Sequence, residues 1–198
     1  MLYINQLDYP HIPYITRTSL GGEEYERGQK TTVRSSGCGL CAAMMVADRL
    51  IPNVEFTLEQ AVELSYESRA NTTVGTNYAY YAPAFAKKLG LKVVASMDVE
   101  DLRNCLETGG AAVVLVRGDR DGQEGLFTNR GHYMAVVGVE PDGRFAILDP
   151  SYKEGKFDGP DRKGKIEMKN DIVVLCSPEI LEQEVNPNRL HYYMFWRK

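Results

Sequence analysis

One apolar segment constrains the fold of this chain more than any other feature. Every residue from Leu40 to Ala47 is apolar, and the segment runs from Cys38 to Leu50 before Pro52 interrupts it. A helix with apolar residues all round its surface is typical of a position buried on nearly all sides. We therefore expect a helix that begins at Cys38 and lies at the centre of the molecule.

The rest of the chain is large enough to cover such a helix within one domain. It has 198 residues, of which 43% are hydrophobic and 25% are charged, as in an ordinary globular protein. Turn-forming Pro and Gly residues are frequent in residues 1–36, and periodic apolar positions are rare there. We predict a single domain over residues 1–198, with residues 1–36 as a loop-rich N-terminal arm.

Charge and hydropathy exclude several classes of protein. The net charge is −4, whereas a nucleic-acid-binding protein usually presents a basic face. No apolar run approaches the roughly 20 residues that span a bilayer, so no membrane span is expected. The N-terminus does not resemble a secretory signal, which favours a cytoplasmic location. Four cysteines are too few for a disulfide scaffold of this size, so free thiols are expected.

The order of the predicted elements indicates an α+β fold, in which a helical half packs against a mostly antiparallel sheet. Beyond the central helix, capping residues predict helices over 57–67, 77–89 and 98–107. Buried or alternating apolar runs predict strands at Leu91–Ala95, Ala111–Val116, Tyr133–Val139, Arg144–Leu148, Asp171–Cys176 and Leu190–Trp196.

Cys38 is the candidate nucleophile. It stands between Gly37 and Gly39, where a loop gives way to the central helix. The helix dipole and the free N–H groups of the first turn stabilise a thiolate at that position. The flanking glycines let a substrate carbonyl approach the backbone closely. The alternative interpretation is a small buried cysteine that only packs in the core.

A nucleophilic thiol needs a base, and the chain contains three histidines. His132 is the best candidate because it stands at the start of a predicted strand, which would hold its ring rigidly. His11 lies in the N-terminal arm between prolines, and His191 lies in an aromatic strand. A structural role is the better interpretation for these two.

Asp149 is the candidate partner of His132. If Val139 pairs with Arg144 across the turn between the two predicted strands, Asp149 lies opposite Met134 and diagonal to His132. Its carboxylate would then orient the imidazole and stabilise the imidazolium. The alternative interpretation is an acidic turn residue before Pro150.

Four short motifs, in this order, resemble the peptidase C39-like group, which are papain-fold relatives of the double-glycine leader peptidases that mature bacteriocins. They are Gln6-Leu7-Asp8, Ser36-Gly37-Cys38-Gly39, Gly131-His132-Tyr133 and Leu148-Asp149-Pro150. The resemblance covers about residues 3–150. It implies a papain-like fold with a nucleophile at Cys38, a general base at His132 and an orienting acid at Asp149.

The resemblance also implies an oxyanion hole, formed by the backbone N–H of the nucleophile and a glutamine side chain. Gln6 matches the motif, but it lies 32 positions before Cys38, whereas papain-like enzymes keep this gap short. Gln29, nine positions before Cys38, is therefore a competing candidate.

The implied activity is that of a cysteine peptidase or amidohydrolase, which cleaves a peptide-like amide bond through a thioester at Cys38 and needs no cofactor. One alternative is an acyltransferase with the same three residues, and another is a non-catalytic peptide-binding module on this fold. Cys38 and Cys41 also form a Cys-x-x-Cys pair, but the preceding residues show no βαβ unit typical of a thiol oxidoreductase. Cys105 and Cys176 are isolated in sequence, so a zinc site is not expected.

Overall fold

A computed structural model describes residues 1–14, 31–72, 75–120 and 122–198 of the chain. Its helices alternate with strands in the first part of the chain, and strands predominate in the second. The helices are α1 (Val33–Ser36), α2 (Cys38–Leu50), α3 (Leu58–Glu67), α4 (Tyr78–Leu89), α5 (Val99–Glu107) and α6 (Pro178–Glu184), preceded by a 3₁₀ turn at Gln6–Asp8.

The strands form one large sheet and one small ribbon. They are β1 (Asn71–Thr72), β2 (Gly75–Thr76), β3 (Leu91–Ser96), β4 (Ala111–Val116), β5 (His132–Val139), β6 (Phe145–Leu148), β7 (Glu167–Met168), β8 (Val173–Cys176) and β9 (Tyr192–Arg197). Within the described residues, β1 pairs with β2, and the other seven strands form a sheet in the order β3-β9-β4-β5-β6-β8-β7. All of the pairings are antiparallel.

The sheet separates two hydrophobic clusters. The first lies between the sheet and helices α2, α3 and α4, and the second lies on the opposite face under α5 and α6. Ten of the thirteen residues of α2 are buried, and only Cys38, Asp48 and Arg49 keep more exposure. The prediction of a central helix beginning at Cys38 is therefore confirmed.

Capping residues set the starts of three helices where the sequence predicted them. Thr57 accepts a hydrogen bond from the N–H of Gln60, Asn77 accepts one from Ala79, and Asp98 accepts one from Glu100. Each side chain satisfies an N–H group that has no partner within the first helical turn. At the other end of α4, Gly90 has a φ of 68°, a left-handed conformation that glycine adopts without strain.

The β5–β6 hairpin differs from the predicted register at its turn and agrees with it farther on. Val139 pairs with Phe145 instead of Arg144, so the predicted pairing at the turn is wrong by one residue. A β-bulge between Val136 and Gly138 then shifts the register, and Ala135 pairs with Leu148. Such a bulge adds one residue to one strand. The register beyond it is therefore the one that places Asp149 opposite Met134.

The last part of the chain contains elements that periodicity did not indicate. Helix α6 follows the N-cap Ser177, and the short strand β7 pairs with β8 at the edge of the sheet. Strands β8 and β9 are observed at Val173–Cys176 and Tyr192–Arg197, each within two residues of the predicted bounds. No helix in the described part of the chain is both long enough and apolar enough to cross a bilayer.

Candidate active site

Cys38 is the first residue of α2, directly after the N-cap Gly37. The backbone is so crowded here that a Cβ on Gly37 would lie 2.6 Å from the side chain of Val33. A Cβ on Gly39 would lie 3.0 Å from the ring of Tyr78. Glycine at both positions therefore lets α2 start in close contact with its neighbours, with Cys38 half-buried at the helix N-terminus.

A tyrosine fixes the start of α2 against the strand that carries His132. The hydroxyl of Tyr78 donates to the carbonyl oxygen of Gly39 at 2.5 Å. Its ring stacks on Tyr133, the residue after His132, with the ring centroids 4.5 Å apart. Tyr78 is fully buried, so its position is set by packing on all sides. Tyr78 thus contacts the residue after Cys38 and the residue after His132, and it links the two segments that carry these side chains.

The three predicted residues Cys38, His132 and Asp149 lie together at one end of the sheet. Nε2 of His132 lies 2.8 Å from Oδ1 of Asp149. The thiol of Cys38 lies near the same imidazole, and each of these two groups shifts the pKa of the other. Since Nε2 faces the carboxylate, Nδ1 is the ring nitrogen left for the thiol. His132 and Asp149 are both buried, with exposed fractions of 5% and 0%.

Asp149 accepts more than the hydrogen bond from His132. The N–H of Ser151 donates to Oδ1 at 2.8 Å, and the Ser151 hydroxyl also lies 3.1 Å from that oxygen. The ammonium of Lys156 donates to Oδ2 at 2.5 Å and to the Ser151 hydroxyl at 2.8 Å. The carboxylate is therefore fully engaged, as a buried charge must be to remain ionised.

These contacts shift the pKa values of the acid and the imidazole in opposite directions. Burial favours neutral Asp149, but the charges and hydrogen bonds of His132 and Lys156 outweigh it and lower the carboxyl pKa. Burial likewise opposes protonation of His132, yet the charge of Asp149 and its hydrogen bond raise the imidazole pKa to about 9. The surroundings of the imidazole therefore favour its protonated form.

The thiol of Cys38 differs from the other three in the chain. Burial raises its pKa, but the hydrogen bond and charge of His132 and the N–H groups of Tyr133 and Gly39 outweigh burial, so the net shift is downward. In the other three cysteines burial dominates and the pKa rises, to about 12 in Cys105 and Cys176. All four cysteines are free, as expected; Cys38 is half-buried, and the other three are buried.

Gln6 forms hydrogen bonds with two segments that flank the candidate site, one after Asp149 and one before Cys38. Its backbone N–H donates to the carbonyl of Pro150 at 2.7 Å, next to Asp149. Its side-chain amide donates to the carbonyl of Arg34, four residues before Cys38, at 2.8 Å. Gln6 is buried although it is far from Cys38 in sequence. The competing candidate Gln29 lies outside the described residues.

The other two histidines lie elsewhere. Nδ1 of His191 lies 2.7 Å from the carbonyl of Arg189 and 3.1 Å from that of Asn186, and the residue is 1% exposed. His11 is exposed and its ring lies 6.0 Å from that of Tyr9. Within the described ranges, no three His, Cys, Asp or Glu side chains are grouped as a metal site requires.

A pocket of about 480 Å³ opens next to the site. Leu7, the neighbour of Gln6, lines it together with Ser151 and Lys156 from the Asp149 network. Asn129 and Arg162 form part of the remaining wall. The pocket therefore begins at Ser151, which contacts His132 and Asp149, and at Lys156, which contacts Asp149.

Sequence reasoning missed Ser151 and Lys156. Both follow the last motif that carries the resemblance, in a segment that matched no known pattern. Lys156 is one of several lysines in a polar, glycine-containing stretch, and no feature of that stretch distinguishes it. Only the fold of the segment brings its ammonium to Asp149.

The fold is shared with solved structures of C39 peptidase domains. One is the peptidase domain of Streptococcus ComA, a bifunctional ABC transporter of a quorum-sensing pathway. It matches with a TM-score of 0.53 and 16% identity over 93% of this chain and 99% of that one. Another is a C39-like peptidase from Bacillus anthracis, with a TM-score of 0.55 and 14% identity over 100% of this chain and 94% of that one. Neither the family models nor the curated proteins compared with the sequence show a match.

At these identities the comparison establishes the fold alone. The predicted α+β architecture, with the helical half against an antiparallel sheet, is confirmed, and so is its likeness to the papain-like C39 domains. The comparison does not assign a reaction to Cys38, His132 and Asp149.

Proposed function

We propose that the chain is a cysteine peptidase or amidohydrolase that cleaves a peptide-like amide bond through a thioester at Cys38. The observation that carries this proposal is that His132, hydrogen-bonded to the buried Asp149, lies next to Cys38 at a helix N-terminus. Thiolate and imidazolium stabilise each other in such a pair, and the buried carboxylate stabilises the imidazolium. The shared fold with C39 peptidase domains supports the same reaction class.

Each residue has a defined role in the proposed reaction. The Cys38 thiolate attacks the carbonyl carbon and forms the C–S bond, and the His132 imidazolium gives its proton to the departing amine as the C–N bond breaks. A water molecule then attacks the thioester while neutral His132 accepts its proton, which releases the acid and restores the thiolate–imidazolium pair. Asp149 keeps Nδ1 of His132 directed at the sulfur throughout.

The tetrahedral intermediates carry a negative oxygen that needs hydrogen-bond donors. The backbone N–H of Cys38, the first residue of α2, has no carbonyl within its own helix to bond to. The side-chain amide of Gln6 has two N–H bonds, of which Arg34 accepts one. We assign these two groups to the oxyanion hole.

The reactivity of Cys38 tests the proposal without a known substrate. The rate of alkylation by iodoacetamide is measured against pH in the wild type and in His132→Ala. An ordinary thiol gives a midpoint near pH 8.5. The wild type is expected to react with a lower midpoint, because the pKa of Cys38 is lowered by His132. In His132→Ala only the N–H groups of Tyr133 and Gly39 still oppose the effect of burial, so the midpoint is expected to rise by about one pH unit or more.

The buried cysteines serve as internal controls, since their raised pKa values and burial keep them unreactive in both proteins. Mass spectrometry of tryptic peptides assigns the alkylation to Cys38. If wild type and His132→Ala both titrate as an ordinary thiol, no thiolate–imidazolium pair exists, and a non-catalytic binding module becomes the better interpretation.

The oxyanion assignment predicts a defect in turnover alone. Gln6→Ala is expected to lower kcat by about a hundredfold to a thousandfold, the usual effect of losing one oxyanion donor. The alkylation profile of Cys38 is expected to stay as in the wild type, because Gln6 is not among the groups that shift its pKa. Steady-state kinetics on the best peptide from a substrate library measure the first effect, and alkylation measures the second.

Gln29→Ala is the matched comparison for Gln6→Ala. We expect it to retain turnover. If Gln29→Ala loses turnover while Gln6→Ala keeps it, the assignment of Gln6 is wrong and Gln29 supplies the donor.

A further inference from the structure

A buried cation contacts Asp149, one of the three proposed catalytic residues. Lys156 has a side chain that is only 7% exposed, and its ammonium lies 2.5 Å from Oδ2 of Asp149. The same ammonium donates to the hydroxyl of Ser151, which lies 3.1 Å from Nε2 of His132. Burying an ammonium is costly unless it is paired and hydrogen-bonded. Its location against the carboxylate of the site therefore calls for an explanation.

The two oxygens of Asp149 are divided between these partners. Oδ1 accepts from His132 and from Ser151, whereas Oδ2 accepts from Lys156. A carboxylate bonded at one oxygen only is free to rotate about its terminal bond. With Lys156 bound to Oδ2, both carboxylate oxygens are held by hydrogen bonds. The carboxylate group therefore cannot rotate, and its hydrogen bond to the imidazole keeps its direction.

Lys156 is itself held in place by its surroundings. Arg162 donates to the carbonyl oxygen of Lys156 at 3.2 Å and pairs with Glu124 at 2.8 Å. Arg162 is also buried and lies 3.3 Å from the amide oxygen of Asn129. This second ion pair fixes the loop that carries Lys156 to the loop that precedes His132. The ammonium therefore has a defined position instead of a mobile one.

We propose that Lys156 is a positioning residue of the site, whose ammonium holds Asp149 in line with His132 and whose charge lowers the pH at which Cys38 becomes a thiolate. The inference rests on the function proposed above and specifies what controls the pH range of that site. A positive charge favours deprotonation of every acid near it, so it favours the thiolate of Cys38 and disfavours the imidazolium of His132.

Several ionisable groups surround Lys156 in the part of the chain that the structure describes. Three belong to the site itself, namely Asp149, His132 and Cys38. The surrounding loops contribute Arg162, its partner Glu124, and the exposed Lys153 at the pocket wall. The hydroxyl of Tyr3, which donates to the backbone carbonyl of Asp149, stays neutral because burial raises its pKa. Arg162 pairs with Glu124, whereas Lys156 pairs with Asp149 of the site itself.

The test compares four proteins: the wild type, Lys156→Gln, Lys156→Arg and Lys163→Gln. Glutamine keeps a hydrogen-bond donor near Asp149 but removes the charge, and arginine keeps the charge. Lys163 is an exposed lysine of the same segment, so its replacement removes a charge that solvent screens. Two titrations are measured: the alkylation midpoint of Cys38 and the NMR titration of the His132 ring, whose signal is assigned from its loss in His132→Ala.

In Lys156→Gln both titrations are expected to move to higher pH by about half a unit or more, because one nearby positive charge is lost. Lys156→Arg and Lys163→Gln are expected to titrate as the wild type does. A purely structural role for Lys156 would lower reactivity at every pH without moving both midpoints together.

The inference is overturned if Lys156→Gln leaves both midpoints unchanged, or if Lys156→Arg shifts them as much as Lys156→Gln does. A wild type that titrates as an ordinary thiol overturns the proposed function as well, which separates the two failures. Lys156→Met replaces Lys156→Gln if the latter does not fold. If neither neutral variant folds while Lys156→Arg folds and titrates normally, the requirement for a cation here is supported. If Lys156→Arg fails to fold too, the inference is overturned.

Discussion

Cys38→Ala is expected to abolish amide hydrolysis, with a loss of turnover on the order of 10⁴-fold or more. The proposed reaction has no covalent intermediate without the sulfur, and removal of a nucleophile from such a group costs about as much as removal of the whole group. The measurement is product formation from a peptide library, followed by mass spectrometry. In the wild type, rapid acid quench of the same reaction is expected to trap an acyl group on Cys38.

Cys41→Ala is the matched control for this variant. Cys41 lies one helical turn farther along α2 and is fully buried, so its replacement by alanine alters the same helix without touching the site. It is expected to retain turnover within a few-fold. Hydrolysis that persists in Cys38→Ala would place the nucleophile elsewhere and would remove the basis of the proposed function.

Asp149→Ala is expected to lower the free energy of unfolding by about 3–5 kcal/mol, the usual cost of removing one partner of a buried ion pair. The reason is that Lys156 and His132 would both remain buried while losing the carboxylate that balances their charge. Urea unfolding near neutral pH, followed by circular dichroism, measures the difference between variant and wild type.

The double variant Asp149→Ala/Lys156→Met separates the cost of the unbalanced charge from the cost of the missing carboxylate. Methionine keeps an unbranched apolar stem but has no charge, so the buried ammonium disappears. The double variant is expected to be more stable than Asp149→Ala alone. If it is no more stable, or if Asp149→Ala loses less than about 1 kcal/mol, the buried pair does not contribute in the way the geometry indicates.

Much of the fold followed from local sequence patterns, because those patterns act within a few residues. Thr57, Asn77 and Asp98 begin their helices by accepting hydrogen bonds from N–H groups two or three residues ahead. The apolar run after Cys38 requires burial whatever the path of the rest of the chain. These features depend on neighbouring residues alone, and the structure places the corresponding elements where the sequence predicted them.

The turn of the β5–β6 hairpin shows where local patterns stop being sufficient. The alternation of apolar and polar residues does not reveal the bulge at Val136 and Gly138. One extra residue in a strand hardly changes the sequence pattern, but it shifts the pairing at the turn by one residue. The predicted contact between His132 and Asp149 is present because the bulge lies on the turn side of that pair. A bulge nearer Asp149 would have moved it to the opposite face of the sheet.

The sequence by itself determined the central helix that begins at Cys38, the antiparallel strands that carry His132 and Asp149, and the α+β architecture that unites them. Only the tertiary structure decided that Gln6 bonds to the backbone of Pro150 and Arg34 and that Lys156 is buried against Asp149. The physical reason is that hydrophobic periodicity and capping are encoded in neighbouring residues. The burial of a single polar side chain instead depends on which distant segments close over it, and a lysine that pairs with a buried carboxylate has the same sequence surroundings as one that remains in solvent.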